Sequence, residues 1–117
     1  MNYSIIGNEL IVNEIPIKFS APIDKAELFN NILIVMLQWQ KDDPFDFTNA
    51  LYAVSEKGTI LWRMQNVREF LPPLVQPAPL VDVSIYEGNI YPFDCCAKKY
   101  HIDPTNGKIL DLTVGRW

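Results

Sequence analysis

The feature that most constrains the fold is a strand–turn–strand pattern that occurs twice. The first copy lies within Asn49–Gln65, where alternating apolar residues lead into the turn Ser55–Gly58 and an apolar pair follows the glycine. The second copy is Lys99–Val114, which has Gly107 at the corresponding place and one extra turn residue. Glycine supplies the positive φ that a tight reversal needs, so each copy predicts a β-hairpin.

Each hairpin is preceded by further strand-like sequence. Asn31–Gln40 contains a near-continuous apolar run, which is typical of a strand buried on both faces. Asp82–Tyr86 and Asn89–Phe93 precede the second hairpin. The internal period is therefore roughly 50 residues, the length of one four-stranded propeller blade. We predict blade-like repeats at about 31–65 and 82–114, joined by a proline-rich, ordered connector at 71–80.

The segment LYAVSEKGTILW, residues 51–62, resembles the strand–turn–strand core of PQQ-like β-propeller repeats. The resemblance implies blade-like sheets. Propellers close with at least about four blades, and this chain has sequence for two or a little more, so the resemblance implies neither a closed ring nor a quinone cofactor. We predict an all-β fold of about eight to ten short strands in two blade-like antiparallel sheets, packed as a single propeller-like or sandwich domain over residues 1–117. Two ordinary hairpins of another all-β fold are the alternative.

The first thirty residues are less clear. Tyr3–Ile6 and Glu9–Val12 flank a Gly-Asn turn and predict a hairpin. Ile15–Phe19 contains a proline, which favours an edge strand. Residues 20–31 fit either one helical turn or an irregular crossing. At the other end, Trp117 is predicted either to pack into the core or to form an exposed contact.

The charge distribution indicates which classes of partner the chain can bind. Residues 1–60 carry 8 acidic and 4 basic side chains, so the whole net charge of −4 lies in this half. An acidic field repels nucleic acid and anionic membranes and favours a basic protein partner. The chain starts without a basic and apolar leader, so we expect a cytoplasmic protein.

The sequence offers little catalytic chemistry. Cys95 and Cys96 are adjacent, and His101 is the only histidine. A redox pair, a metal site with His101 and a Cys–His nucleophile are conceivable, but a closed zinc site needs four ligands. We predict reduced thiols, at least one of them buried, and a surface histidine on the face opposite Tyr100 and Ile102. No cofactor, metal site or enzymatic activity is expected.

The loop Lys41–Thr48 is the candidate binding site. It carries three aspartates and two phenylalanines. It is either a solvated connection whose rings fold back onto the sheet, or a recognition loop, because interfaces use aromatic anchors surrounded by charge. The predicted partner-binding residues are Asp42, Asp43, Phe45, Asp46 and Phe47, with Glu9 and Glu14 as outlying charges.

An acidic all-β chain of this size is similar in kind to bacterial immunity proteins, which neutralise toxins such as nucleases. Those toxins hold nucleic acid in basic clefts, where an acidic inhibitor docks with fast association. The sequence therefore favours a non-enzymatic inhibitor of a basic toxin domain. The alternative is a propeller-derived module that binds a small molecule or peptide, for which an apolar pocket lined by Trp39, Trp62 or Tyr52 would be the sign.

Overall fold

The computed structural model describes residues 1–115, and within them the chain forms eleven β-strands and two short 3-10 helices. The predictions for Trp117 lie outside the described residues. The helices are Pro44–Phe47 and Val67–Glu69. In the described part of the chain, no helix has the length and apolar character needed to cross a membrane.

The strands form three antiparallel sheets, and within each sheet neighbouring strands follow one another in the chain. Sheet 1 contains β1 (Tyr3–Ile6), β2 (Glu9–Val12) and β3 (Ile15–Lys18). Sheet 2 contains β4 (Ile23–Phe29), β5 (Ile32–Leu37), β6 (Leu51–Ser55) and β7 (Ile60–Arg63). Sheet 3 contains β8 (Leu80–Tyr86), β9 (Asn89–Asp94), β10 (Lys98–Ile102) and β11 (Ile109–Val114).

The predicted all-β fold is confirmed, and both repeated hairpins are present as β6–β7 and β10–β11. There are three sheets rather than two, because residues 3–18 form a sheet of their own. Residues 20–31, predicted as one helical turn or an irregular crossing, instead contain β4, which pairs with β5 along its length. The β4 sequence mixes charged with apolar residues and most of them are half-buried, so its own pattern is weak and the pairing with β5 defines it.

Strand β5 lies at the centre of the core, as its apolar run predicted. Leu33, Val35 and Leu37 point to sheet 1 and pack with Leu10 and Val12 of β2. Ile34 and Met36 point the other way and pack in the cluster shared with sheet 3. The five side chains from Leu33 to Leu37 are at most 1% exposed, so sheet 2 is covered on both faces there.

The turn between β10 and β11 docks onto β7. The indole Nε1 of Trp62 donates to the carbonyl of Pro104 at 2.9 Å, and the Gln65 N–H donates to the carbonyl of Gly107 at 2.9 Å. Gly107 has φ +76°, and a Cβ at that position would lie 2.5 Å from Cε3 of Trp62. Gly107 is therefore required both for the chain reversal and for the close contact between sheets 2 and 3.

The connector 71–80 crosses packed surface without regular structure until β8 begins at Leu80. Leu71, Ala78 and Leu80 are buried. The guanidinium of Arg68 donates to the carbonyls of Pro72, Pro73 and Val75. The Val75 N–H also donates to the carbonyl of Pro72 at 3.0 Å, so one arginine and one backbone hydrogen bond together hold the turn of the connector.

Candidate partner-binding site

The candidate loop lies at one end of the sheets, which we call the loop end. Residues 38–50 join β5 to β6 at this end. The Gln38 N–H donates to the carbonyl of Pro22 at 2.8 Å, and the Ile23 N–H donates to Gly7 at 2.9 Å, so the β1–β2 turn and the start of β4 lie there too. Val81 at the start of β8 shares a groove with Trp39. The β6–β7 and β4–β5 turns lie at the opposite end.

The two phenylalanines of the loop have different surroundings. Phe47 is 5% exposed and packs in the cluster between sheets 1 and 2. Phe45 is 69% exposed. The Thr48 hydroxyl donates to the carbonyl of Phe45 at 3.0 Å and closes the short helix. Phe47, predicted as a contact residue, is therefore an internal anchor, and Phe45 is the aromatic side chain that the loop presents.

Arg63 at the end of β7 holds the second half of the loop. Its Nη2 donates to the carbonyl of Asp46 at 2.5 Å and to Oδ1 of the same residue at 3.4 Å, and its Nε donates to the carbonyl of Asn49 at 3.2 Å. The guanidinium also lies 5.3 Å from the ring centroid of Tyr52. Asp46 therefore serves mainly to position the loop, because its charge is already matched by Arg63.

Asp42 and Asp43 are exposed at the start of the loop. Within residues 1–115, neither carboxylate belongs to an ion pair within 4.0 Å. Asp42 and Trp39 line a groove of about 490 Å³, and Trp39 is 40% exposed. Acidic and aromatic side chains are thus next to one another at the surface.

Sequence reasoning missed one neighbour of this surface. Asp24 of β4 is exposed and lines an adjoining groove of about 230 Å³ together with Trp39. Asp24 could not be identified from the loop sequence, because it lies on another strand. The pairing of β4 with β5 brings it to the loop end. Trp39 was predicted only as the wall of a possible pocket.

The two outlying acids lie at different ends: Glu9 follows the β1–β2 turn at the loop end, whereas Glu14 lies at the opposite end. Glu9 is half-buried on β2 and stands across from Lys18 on β3, on the sheet face opposite to that of Leu10. Glu14 lies in the β2–β3 turn. The neighbouring Asn13 amide donates to the carbonyl of Glu56 at 2.8 Å, which places this turn beside the β6–β7 turn, at the end opposite the loop.

The cysteines and the histidine do not meet. His101 Nε2 is 2.9 Å from Oδ1 of Asn89, and its ring stacks on Tyr91 with centroids 5.0 Å apart. It lies on the face opposite the buried Tyr100 and Ile102, as predicted. Cys95 and Cys96 lie at the other end of β10, in the β9–β10 turn.

Both thiols are exposed, so the prediction that at least one is buried was wrong. The turn places them at the surface because the preceding Asp94 takes the buried position. Partial desolvation, with a smaller contribution from Cys96, raises the pKa of the Cys95 thiol. The cysteines and His101 therefore do not form a site in which an imidazole activates a thiol. Within residues 1–115, no three His, Cys, Asp or Glu side chains are grouped so that they could hold a metal ion.

A third groove, which is apolar, lies at the opposite end. It has a volume of about 370 Å³ and lies between the β4–β5 turn, β7 and the β10–β11 turn. Its walls include Phe29, Ile32, Leu61, Trp62 and Pro104. Leu61 is 51% exposed at its edge.

Comparison with known proteins adds a fold and a family. A crystal structure of the computationally designed Ika8 protein matches with a TM-score of 0.61 and 7% identity. The match covers 97% of this chain and 36% of the designed chain, so this chain spans about a third of that protein's length. At this identity the likeness concerns the fold alone.

No curated protein matches the sequence. A family model described as "Domain of unknown function (DUF7957)" matches residues 1–114. Since this match covers nearly the whole chain, the protein belongs to the DUF7957 family.

Proposed function

We propose that this chain is a non-enzymatic protein-binding module that covers a basic surface of another protein, as an immunity-type inhibitor of a nuclease-type toxin in the cytoplasm. The observation that carries the proposal is the exposed Phe45 on a loop held by Phe47 and Arg63, with Asp42 and Asp43 beside it. This arrangement supports the proposal because it combines an aromatic anchor, free charge and rigidity.

Each part has a separate physical role. A buried aromatic anchor supplies most of the affinity at many interfaces, where surrounding charges exclude wrong partners. A loop that is already held in shape loses little conformational entropy on binding. Asp42 and Asp43 raise the rate of encounter with a basic surface, and salt screens this effect. Phe45 should therefore act on dissociation, and the two aspartates on association.

The probe is a purified basic, nuclease-type domain, sought among the products of the genes that neighbour the gene for this chain; the absence of any such product there counts against the proposal. Association and dissociation rates are measured by stopped-flow fluorescence at several salt concentrations. The double variant Asp42→Asn, Asp43→Asn should associate more slowly and with a weaker salt dependence. Phe45→Ala should dissociate at least about tenfold faster, which corresponds to ~1.4 kcal/mol.

The matched control is Glu56→Gln, which removes one exposed acid at the opposite end of the sheets. It should change neither rate appreciably. Failure of the unmodified chain to bind or inhibit the basic domain would refute the proposal. Equal rates for the loop variants and the control would remove the loop from it.

The apolar groove supports a second candidate, a module that binds a small molecule or peptide. Its volume of about 370 Å³ lies in the range of ligand pockets, and Trp62 forms one wall. The probe is the apolar dye 1-anilinonaphthalene-8-sulfonate, followed by its fluorescence. Leu61→Glu should abolish dye binding, whereas the double loop variant should bind as the unmodified chain does. Dye binding that is unaffected by Leu61→Glu would rule out this groove as the site.

A further inference from the structure

The β9–β10 turn presents two thiols side by side. Cys95 and Cys96 are both exposed, and their sulfur atoms are 4.0 Å apart. This separation is about twice the S–S bond length of a disulfide. Neither residue belongs to the proposed protein-binding loop.

The separation fits a shared metal ion. Zinc binds thiolate sulfur at about 2.3 Å, and two tetrahedral ligands at that length have sulfur atoms ~3.8 Å apart. The observed 4.0 Å differs by only ~0.2 Å from this value. Neither side chain has to leave its present position for both sulfurs to reach one ion of this size.

The carboxylate of Asp94 holds the backbone of the turn through hydrogen bonds. One carboxylate oxygen accepts hydrogen bonds from the Cys96 N–H at 2.9 Å and the Lys98 N–H at 3.0 Å. The other oxygen is 2.9 Å from Nζ of Lys98, and both side chains of this ion pair are buried. The Cys95 N–H donates to the carbonyl of Pro79 at 3.1 Å. Asp94 therefore holds the turn in shape, and these bonds fix the backbone that carries the two thiols.

We propose that Cys95 and Cys96 form a two-thiolate site for a soft d¹⁰ metal ion of the Zn²⁺, Cd²⁺ or Cu⁺ type. On binding, each thiol releases one proton and forms one metal–sulfur bond, and no oxidation state changes. Soft thiolates select such ions over Mg²⁺ or Ca²⁺. The chain supplies two ligands, so the remaining positions on the ion are open to water or to a small external thiol.

The test uses Cd²⁺ as the probe and the ultraviolet charge-transfer absorption of the cadmium–thiolate bond as the signal. The whole chain, reduced and free of metal, is titrated in the presence of a competing chelator. We expect one Cd²⁺ per chain and no change in the oligomeric state on binding. Cys95→Ser and Cys96→Ser should each bind at least about 100-fold more weakly, because the second ligand no longer binds intramolecularly.

The control keeps two thiols but separates them. The double variant Cys96→Ser, Glu56→Cys places the second thiol in the β6–β7 turn, at the other end of the molecule. It should bind Cd²⁺ as weakly as the single variants. Equal affinity for this control and the unmodified chain would overturn the proposal. So would the absence of a cadmium–thiolate signal, or one Cd²⁺ for every two chains with formation of a dimer.

Discussion

Phe45 and Phe47 stand two positions apart in sequence, yet they are 69% and 5% exposed. The short helix that begins at Pro44 turns one ring outward and the other into the cluster beneath sheet 1. Their chemistry is the same, so only their location separates a contact residue from a core residue. The pair thus provides a matched experiment within one loop.

Phe47→Ala should lower the free energy of unfolding by about 3–5 kcal/mol, because it removes a buried ring and leaves a cavity. Phe45→Ala should change it by less than about 0.5 kcal/mol, since the ring is already in water. Urea unfolding followed by tryptophan fluorescence measures both. Equal losses would show that Phe45 packs as Phe47 does, which would contradict its proposed role in binding.

Gly107 and Gly88 provide a second matched pair. Both have positive φ, at +76° and +75°, but a Cβ on Gly107 would meet Trp62 while one on Gly88 has nothing within 4 Å. Gly88→Ala should cost about 1–2 kcal/mol from the backbone alone. Gly107→Ala should cost a further ~1–3 kcal/mol from overpacking. Thermal unfolding of both variants measures the difference, and similar values would show that Trp62 moves aside freely.

At the scale of elements, the loop 38–50 depends on its neighbours more than on its own sequence. Phe47 fixes its underside, and Arg63 of β7 binds the carbonyls of Asp46 and Asn49. An arginine can make these contacts together because its donors are arranged in a planar fork. The loop should therefore be rigid as long as Arg63 is present.

Arg63→Lys should leave global stability nearly unchanged but loosen the loop, because a lysine retains the charge without the fork. Amide hydrogen exchange at residues 44–49 should become faster by at least about tenfold, while exchange in β5 stays slow. Arg68→Lys is the control, since Arg68 makes a similar set of carbonyl contacts in the connector 71–80. An unchanged exchange rate in residues 44–49 would mean that Phe47 alone holds the loop.

The elements also show where sequence reasoning worked. The hairpins β6–β7 and β10–β11 could be predicted because glycine, turn residues and alternation agree locally. Strand β5 could be predicted because a short, near-continuous apolar run is typical of a strand buried on both faces. Strand β4 could not, since its charged residues obscure the alternation and its hydrogen bonds come from β5. For the same reason Asp24 could not be placed beside Trp39 in advance.

At the scale of the whole molecule, an ion-pair group links sheets 2 and 3. Nζ of Lys25 on β4 is 2.9 Å from Oδ1 of Asp82 on β8 and 3.1 Å from Oε1 of Glu27. The same Nζ donates to the carbonyl of Val83 at 3.1 Å. Partial desolvation opposes ionisation of Asp82, but hydrogen bonds from Lys25 and from the Val83 N–H outweigh it and lower the pKa of that carboxyl.

A lowered pKa in the folded state means that ionised Asp82 stabilises the fold above its ordinary pKa of 3.8. This stabilisation is lost as the pH falls through the folded-state pKa. Asp82→Asn should therefore be less stable than the unmodified chain at pH 7, by at most ~1 kcal/mol because the pair is largely exposed. The difference should shrink towards zero between pH 4 and about pH 2.

Urea unfolding at pH 7, 5 and 3 measures this dependence. Lys25→Gln, which removes the other partner, should show a similar deficit at pH 7. A constant difference between Asp82→Asn and the unmodified chain at all three pH values would show that the asparagine acts through packing rather than through charge.

The sequence by itself determined the secondary structure class, the two glycine turns, the buried β5 strand and the position of an acidic loop with two aromatic rings. These features depend on local propensity and periodicity, which neighbouring residues carry. Only the tertiary structure decided that residues 3–18 form a third sheet, that Phe45 faces water while Phe47 does not, and that Asp24 joins the loop end whereas Glu14 does not. The hairpins of sheet 1 are local, and the tertiary structure decides only that they pack on sheet 2 as a separate layer. The placement of Phe45, Phe47 and Asp24 depends on contacts between residues far apart in the chain, whose strength is set by burial and strand pairing rather than by the local sequence.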